Sequence, residues 1–320
     1  MRKFLFALVI LIVAVVGCFA VYVAARQHLK FDAPMPAVTA SADSAVIERG
    51  RYVVRHLAGC PSCHGDPQWS DSSHAGEESP LSGGFEFDIP PGKFRARNIT
   101  PDPETGIGRF SDGQVARALR FGVGNDGRAL LPFMEMQGLS DEDLTAVISY
   151  LRSRPPVRNA VPMHEYNLLG MIVKATVIAN PVGPKETPLK ATPHGATVEN
   201  GRYLVESVAN CWACHTRRDY NTGALVGPRF AGGAVPDDHN PKRTWAPPNL
   251  TSDPLTGRLA KFSEDQFVTR IRAGRVIPGS PMPWDGFRDL HEEDLRAIYR
   301  YLKTLPPVVH DTGPPFVDKK

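Results

Sequence analysis

The chain has 320 residues, 42% of them hydrophobic and 22% charged, an ordinary globular composition and enough length for about two domains. Lys and Arg number 37 against 34 Asp and Glu, and a net charge of +3 without a basic stripe leaves no footprint for nucleic acid. Thirty prolines and 28 glycines predict long loops between the regular elements.

Met1, Arg2 and Lys3 lead into residues 4–25, which carry no charge, and Arg26 and Lys30 follow. As a helix this run would span about 33 Å at ~1.5 Å per residue, enough to cross a hydrocarbon core of roughly 30 Å. A cleaved signal peptide has a shorter apolar core. Val15-Val16-Gly17-Cys18 resembles a lipoprotein box, but the residues after Cys18 stay apolar. The run therefore reads as a retained anchor over residues 1–30, with a lipoprotein or a cleaved signal as the alternatives. Each of the three exports the rest of the chain. Residues 31–45 are a Pro- and Ala-rich spacer.

A first helix is expected from about Val46 into Cys60-Pro61-Ser62-Cys63-His64. This is C-x-x-C-H, the pattern for covalent haem c attachment: two thiols form thioethers and the adjacent imidazole meets the iron. Alone it would compete with a redox dithiol or half a zinc site. It recurs as Cys211-Trp212-Ala213-Cys214-His215, 151 residues on, far outside zinc-ribbon spacing, and the two motifs use four of the five cysteines. Two covalently bound haems follow, with His64 and His215 as iron ligands.

Other stretches keep the same offset. Gly50-Arg51-Tyr52 matches Gly201-Arg202-Tyr203, Asn98 to Pro103 matches Asn249 to Pro254, and Pro155-Pro156-Val157 matches Pro306-Pro307-Val308. The chain is thus a duplicated unit, with domains at 46–158 and 198–310, a linker at 159–197 and a tail at 311–320. Ser111 and Gln114 form a capping box for a second helix, as do Ser263 and Gln266. Leu144, Val147, Ile148 and Leu151 make an apolar stripe for a last helix, and Leu295, Ile298, Tyr299 and Leu302 repeat it. Double prolines end both helices. No run alternates as a strand would, so the expected class is all-α. In the linker, residues 168–179 are apolar but too short to span a bilayer. They are expected to pack across the inter-domain seam.

The distal ligand separates electron carriers from catalysts. Met282, between Pro281 and Pro283 in a loop before the last helix, lies outside any helical stripe and is the expected ligand of the second haem.

With these parts in place both units resemble class I cytochrome c domains. The tandem behind an anchor is similar to the membrane-anchored cytochrome c subunits of bacterial periplasmic dehydrogenases of the alcohol, gluconate and aldehyde type. The likeness runs from about Val46 to Val308 and rests on Gly50-Arg51-Tyr52, residues 98–106, residues 139–144 and their twins. It implies first and last helices that cross at Gly50/Tyr150 and Gly201/Tyr301, and loops at Asn98 and Asn249 beside the haems. Many such subunits carry three haem motifs and this chain carries two, which leaves the partner open. In the first copy Leu131 stands where Met282 stands when counted back from the last helix. The family pattern, counted forward, places the ligand at Met134, with Met136 next.

The resemblance implies a non-catalytic dihaem electron carrier in the bacterial inner membrane, with its haem domains in the periplasm. A periplasmic dehydrogenase subunit would be the donor; another cytochrome, a quinone-linked complex or a terminal oxidase would be the acceptor. The rival is a dihaem enzyme, a peroxidase or thiosulfate-oxidising cytochrome, built on the irregular first methionine loop.

Overall fold

The computed structural model describes residues 1–69, 78–219, 223–237, 240 and 242–318. The chain divides into two compact units, and the division does not follow the repeat. One unit gathers residues 1–39, 63–137 and 151–184; the other gathers 40–62, 138–150 and 185–320.

The first unit begins with α1 (Arg2–Ala25), a helix long and apolar enough to cross a membrane, on which only Val23 is buried. Tyr22 lies near its end with the Arg26 guanidinium 5.3 Å from the ring centre. An antiparallel hairpin, β1 (Glu86–Ile89) and β2 (Gly92–Arg95), pairs Phe87 with Phe94 and takes β3 (Glu165–Tyr166) on its outer edge. The Pro90-Pro91 turn closes on Gly92 at φ 141°, where a Cβ would lie 2.0 Å from the Glu165 carbonyl oxygen. Rings of Phe85, Phe87, Phe133, Phe94 and Tyr166 cluster on this sheet. Helix α4 (Asp112–Phe121) starts in the Ser111/Gln114 capping box and ends on Gly122 in the left-handed conformation.

The other unit is built on two helix crossings. Helix α2 (Ser44–Tyr52), capped by Asp43, runs into a π-helical turn over Val53–Leu57 and crosses α5 (Asp141–Ser153). Its twin α7 (Val198–Tyr203), capped by Thr197, runs into a π turn over Leu204–Val208 and crosses α11 (Glu292–Thr304). A Cβ on Gly50 would sit 1.9 Å from the Ala146 carbonyl oxygen, and one on Gly201 2.0 Å from that of Ala297. Only glycine permits backbones this close. Both expected stripes face inward: Leu144, Ile148, Leu295 and Leu302 are buried. Helix α9 (Glu264–Arg272) carries the second capping box.

The two repeats exchange buried hydrogen bonds within this unit. Tyr203 Oη lies 2.7 Å from Asp143 and accepts from the Ser140 amide at 3.0 Å. Reciprocally, Tyr52 Oη lies 2.7 Å from Asp294 and accepts from the His291 amide at 2.9 Å. Each aspartate is also held by its own repeat: Asp143 by a bidentate Arg49, Asp294 by Asn200 Nδ2 at 2.8 Å.

The all-α expectation needs correction. In addition to the first sheet, the other unit forms one from β4 (Val235–Pro236), β5 (Arg243–Trp245) and β6 (Phe316–Asp318), so the class is helical with two small antiparallel sheets among the described residues. Strands of two to four residues are too short to leave a readable alternation. The tail supplies β6, docked by Phe316 against Trp245 and by Asp318 on Arg243 at 2.8 Å.

Candidate haem-attachment sites

Both C-x-x-C-H motifs end on a single helical turn, α3 (Pro61–His64) and α8 (Trp212–His215). Each follows its π turn after three residues, and the widened backbone hands over an amide: Cys60 N–H donates to Val54 O and Cys211 N–H to Val205 O, both at 3.0 Å. Cys60, Cys63 and Cys211 are half-buried and Cys214 is exposed, and none of the four is in a disulfide. Apolar packing pushes the Cys211 thiol up to about 12, which keeps it protonated and makes a thioredoxin-like dithiol a poor fit. Among the described residues no group of three or more His, Cys, Asp or Glu converges as a metal cage.

The histidines are fixed by backbone. His64 Nδ1 lies 2.7 Å from the Arg97 carbonyl oxygen and His215 Nδ1 lies 2.8 Å from that of Pro248. A carbonyl can only accept, so Nδ1 carries the proton in each ring and Nε2 keeps its lone pair. Desolvation holds both imidazoles below the ordinary histidine range, in the neutral form a metal requires. Two thiols and a tautomer-locked imidazole on one turn fit haem c.

The carbonyls are held in turn by the residues that follow them. Asn249, 1% exposed, donates through Nδ2 to Val308 O at 2.8 Å and Thr256 Oγ1 at 3.1 Å. Its Oδ1 accepts from the Thr251 amide at 2.9 Å and the Thr251 hydroxyl at 2.8 Å. Asn98 repeats the knot on Val157 O, Thr105 and Thr100. Glycines close the other side: Gly83 N–H donates to His64 O and Gly232 N–H to His215 O, both at 2.9 Å. The sequence motif around Asn98 and Asn249 is thus a clamp that pins the histidine's acceptor to the segment after the last helix. The acceptors escape sequence reasoning because a backbone oxygen has no side-chain signature: Arg97 occupies one position and Pro248 the other.

No protein-family model matches the chain. It is similar to the cytochrome c subunit of the quinone-type alcohol dehydrogenase of Gluconacetobacter polyoxogenes, 31% identical over 306 residues covering 87% of this chain and 59% of that protein. The corresponding subunit of Gluconobacter oxydans (strain 621H) is 33% identical over 290 residues, 83% of this chain and 56% of that one. A "diheme cytochrome c-type" protein of Cereibacter sphaeroides is 27% identical over 271 residues, 78% of this chain and 83% of that one. The chain is a homologue of dehydrogenase cytochrome c subunits. It spans little more than half the length of the two alcohol dehydrogenase subunits.

In this cytochrome c homologue the methionine loops are built differently in the two copies. Met282 is half-buried, its carbonyl accepts from the Trp284 amide at 2.7 Å, and Trp284 Nε1 donates to Ser280 Oγ at 3.1 Å. Arg270 stacks 4.1 Å from the Trp284 ring centre, so the short helix α10 (Trp284–Phe287) anchors the loop. Met134 is also half-buried, in the unit that holds His64, and its carbonyl accepts from Gln137 Nε2 at 3.0 Å. It shares the wall of a small cavity with Leu131, Ala118 and Gly122; Met136 is not among the lining residues.

Proposed function

We propose that this chain is a membrane-anchored dihaem c-type cytochrome that carries electrons from a periplasmic dehydrogenase. The observation that carries the reading is a pair of identical arrangements. In each, a C-x-x-C-H turn places a histidine whose Nδ1 is donated to a clamped carbonyl, 33 residues further along the chain. In this reading Cys60, Cys63, Cys211 and Cys214 form the thioethers. His64 and His215 ligate from one side and Met134 and Met282 from the other, within two class I domains at 46–158 and 198–310.

Haem c supplies a one-electron iron couple whose potential is raised by methionine ligation. The chain's residues hold each imidazole neutral and oriented, keep its proton on Nδ1, and bury the ring away from competing protonation. Nothing in that set moves a proton to a substrate, which suits relay over catalysis. The donor is a dehydrogenase subunit outside the inner membrane; the acceptor is another cytochrome, a quinone-linked complex or a terminal oxidase. α1 stays in the inner membrane as the anchor and the haem domains face the periplasm.

Purified protein should keep two haem masses through acid–acetone extraction, and replacing Cys211 and Cys214 by Ala should leave one. Met282→Ala and Met134→Ala should each let one reduced haem bind carbon monoxide. Extraction of all haem by acid–acetone would overturn the reading, and carbon monoxide binding to the unmutated first haem would favour the enzyme.

A further inference from the structure

The apolar stretch of the linker folds as α6 (Leu168–Thr176), and its surroundings belong to the first unit. Asn167 caps it, accepting from the Gly170 amide at 2.9 Å. On one side it is seated on the β1–β2 turn: Asn167 Nδ2 donates to Pro90 O at 2.8 Å, and a Cβ on Gly170 would lie 2.0 Å from Pro91 O. It is also tied to the C-terminal end of α1. Arg26 Nε donates to Ala175 O at 2.8 Å, Gln27 Nε2 to Met171 O at 2.9 Å, and Lys174 Nζ to Gln27 O at 2.7 Å.

Successive helix positions turn by about 100°, which gathers Leu168, Leu169, Ile172 and Val173 on one face and Gly170, Met171 and Lys174 on the opposite one. The tethers engage the second face. The first is apolar and open at its start, with Leu168 69% and Leu169 49% exposed and Ile172 and Val173 half-buried; Val177 just beyond the helix is 51% exposed. An unpaired leucine face is a poor surface to leave in water.

Its level relative to the membrane is set by the tethers. Arg26 and Gln27 immediately follow the apolar span, so a helix hydrogen-bonded to both lies where the span leaves the hydrocarbon. Tyr22, Arg26, Lys30 and Lys174 supply the aromatic and cationic groups that suit a headgroup layer. We infer that α6 is an interfacial helix whose Leu168/Leu169/Ile172 face rests in the phospholipid bilayer beside the exit of α1. Such a helix buries its apolar face about 5–10 Å into the headgroup and acyl boundary. It acts as a second contact that orients the first unit on the membrane. The inference rests on α1 being a retained anchor.

The test uses the full chain in vesicles of phosphatidylethanolamine and phosphatidylglycerol, with nitroxide labels and power-saturation measurements. With the haem cysteines in thioethers, native Cys18 is the free thiol and reports on α1. Leu168→Cys and Leu169→Cys, each in a Cys18→Ser background, report on α6, and Glu104→Cys is an exposed reference in the same unit. Labels at 18, 168 and 169 should collide with oxygen several-fold more readily than with an aqueous nickel chelate, and the label at 104 should show the reverse. A lipid-buried label at 18 with water-exposed labels at 168 and 169 would overturn the inference and leave the anchor standing. A water-exposed label at 18 would overturn the anchor and the inference with it.

Discussion

Replacing Asn249 by Ala isolates the clamp behind the second histidine. The substitution removes three donated hydrogen bonds, one of them a long contact to His310 O at 3.4 Å, and two accepted ones at a site 1% exposed. The Thr251 and Thr256 hydroxyls can turn to other partners. The Thr251 amide cannot, whereas the Val308 carbonyl keeps the Thr251 hydroxyl, 3.5 Å away, as a donor; a buried unsatisfied group costs about 1–3 kcal/mol. The expected loss is therefore about 2–3 kcal/mol, a large share of the roughly 5–15 kcal/mol that holds a domain. Pro248 O, next to the missing side chain, loses its fixed position and with it the orientation of His215. On the proposed dihaem reading, urea unfolding of the ferric protein, followed by its methionine-to-iron charge-transfer absorption, measures both effects. Thr251→Val keeps the amide contact and should cost about 1 kcal/mol. An Asn249→Ala protein within about 0.5 kcal/mol of the parent, with an unchanged band, would refute the clamp.

The buried exchange between repeats predicts that Tyr203→Phe and Tyr52→Phe each cost about 2 kcal/mol, because the Ser140 and His291 amides are left without an acceptor; chemical denaturation of each variant measures it. His164 Nδ1 accepts from the Arg95 amide at 3.1 Å, and burial, reinforced by the nearby Arg97, lowers its pKa to about 4. The folded protein therefore takes up this proton later than the unfolded chain, whose histidine titrates near pH ~6.5. Its contribution is complete above that pH and is lost as pH falls toward 4, by about 1–2 kcal/mol after allowance for partial exposure of the ring. His164→Gln should flatten that part of the stability–pH curve, and a curve parallel to the parent's would refute the assignment.

What could be read from the residues was what is local in the chain. The C-x-x-C-H turns, both capping boxes and the stripe through Leu144 and Ile148 depend on spacings of a few residues, and each forms where the pattern puts it. Gly50 and Gly201 stood out as repeated glycines; the carbonyls they make room for explain them. Contacts across long separations left no mark. Tyr52 meets Asp294 across 242 positions, and neither residue type announces such a partner. The histidine acceptors are backbone atoms and the strands are too brief to alternate. The expectation for residues 168–179 is packing across an inter-domain seam; their helix is tied instead to the end of α1 through Arg26 and Gln27, far away in sequence.

The exchange of Tyr52 with Asp294 and of Tyr203 with Asp143 has the form of an isologous dimer contact, in which position i of one half meets position j of the other and the reverse. Two separate copies of one repeat could pair through the same tyrosine and aspartate, each molecule giving and receiving once. In one chain the halves need not match. Arg49 on Asp143 now stands opposite Asn200 on Asp294, and Arg55 opposite Glu206 against the tyrosines of the last helices. An electron carrier assembled from two identical subunits has one potential and no direction. On the proposed dihaem reading one chain can hold two unlike sites, and that inequality is what a relay needs.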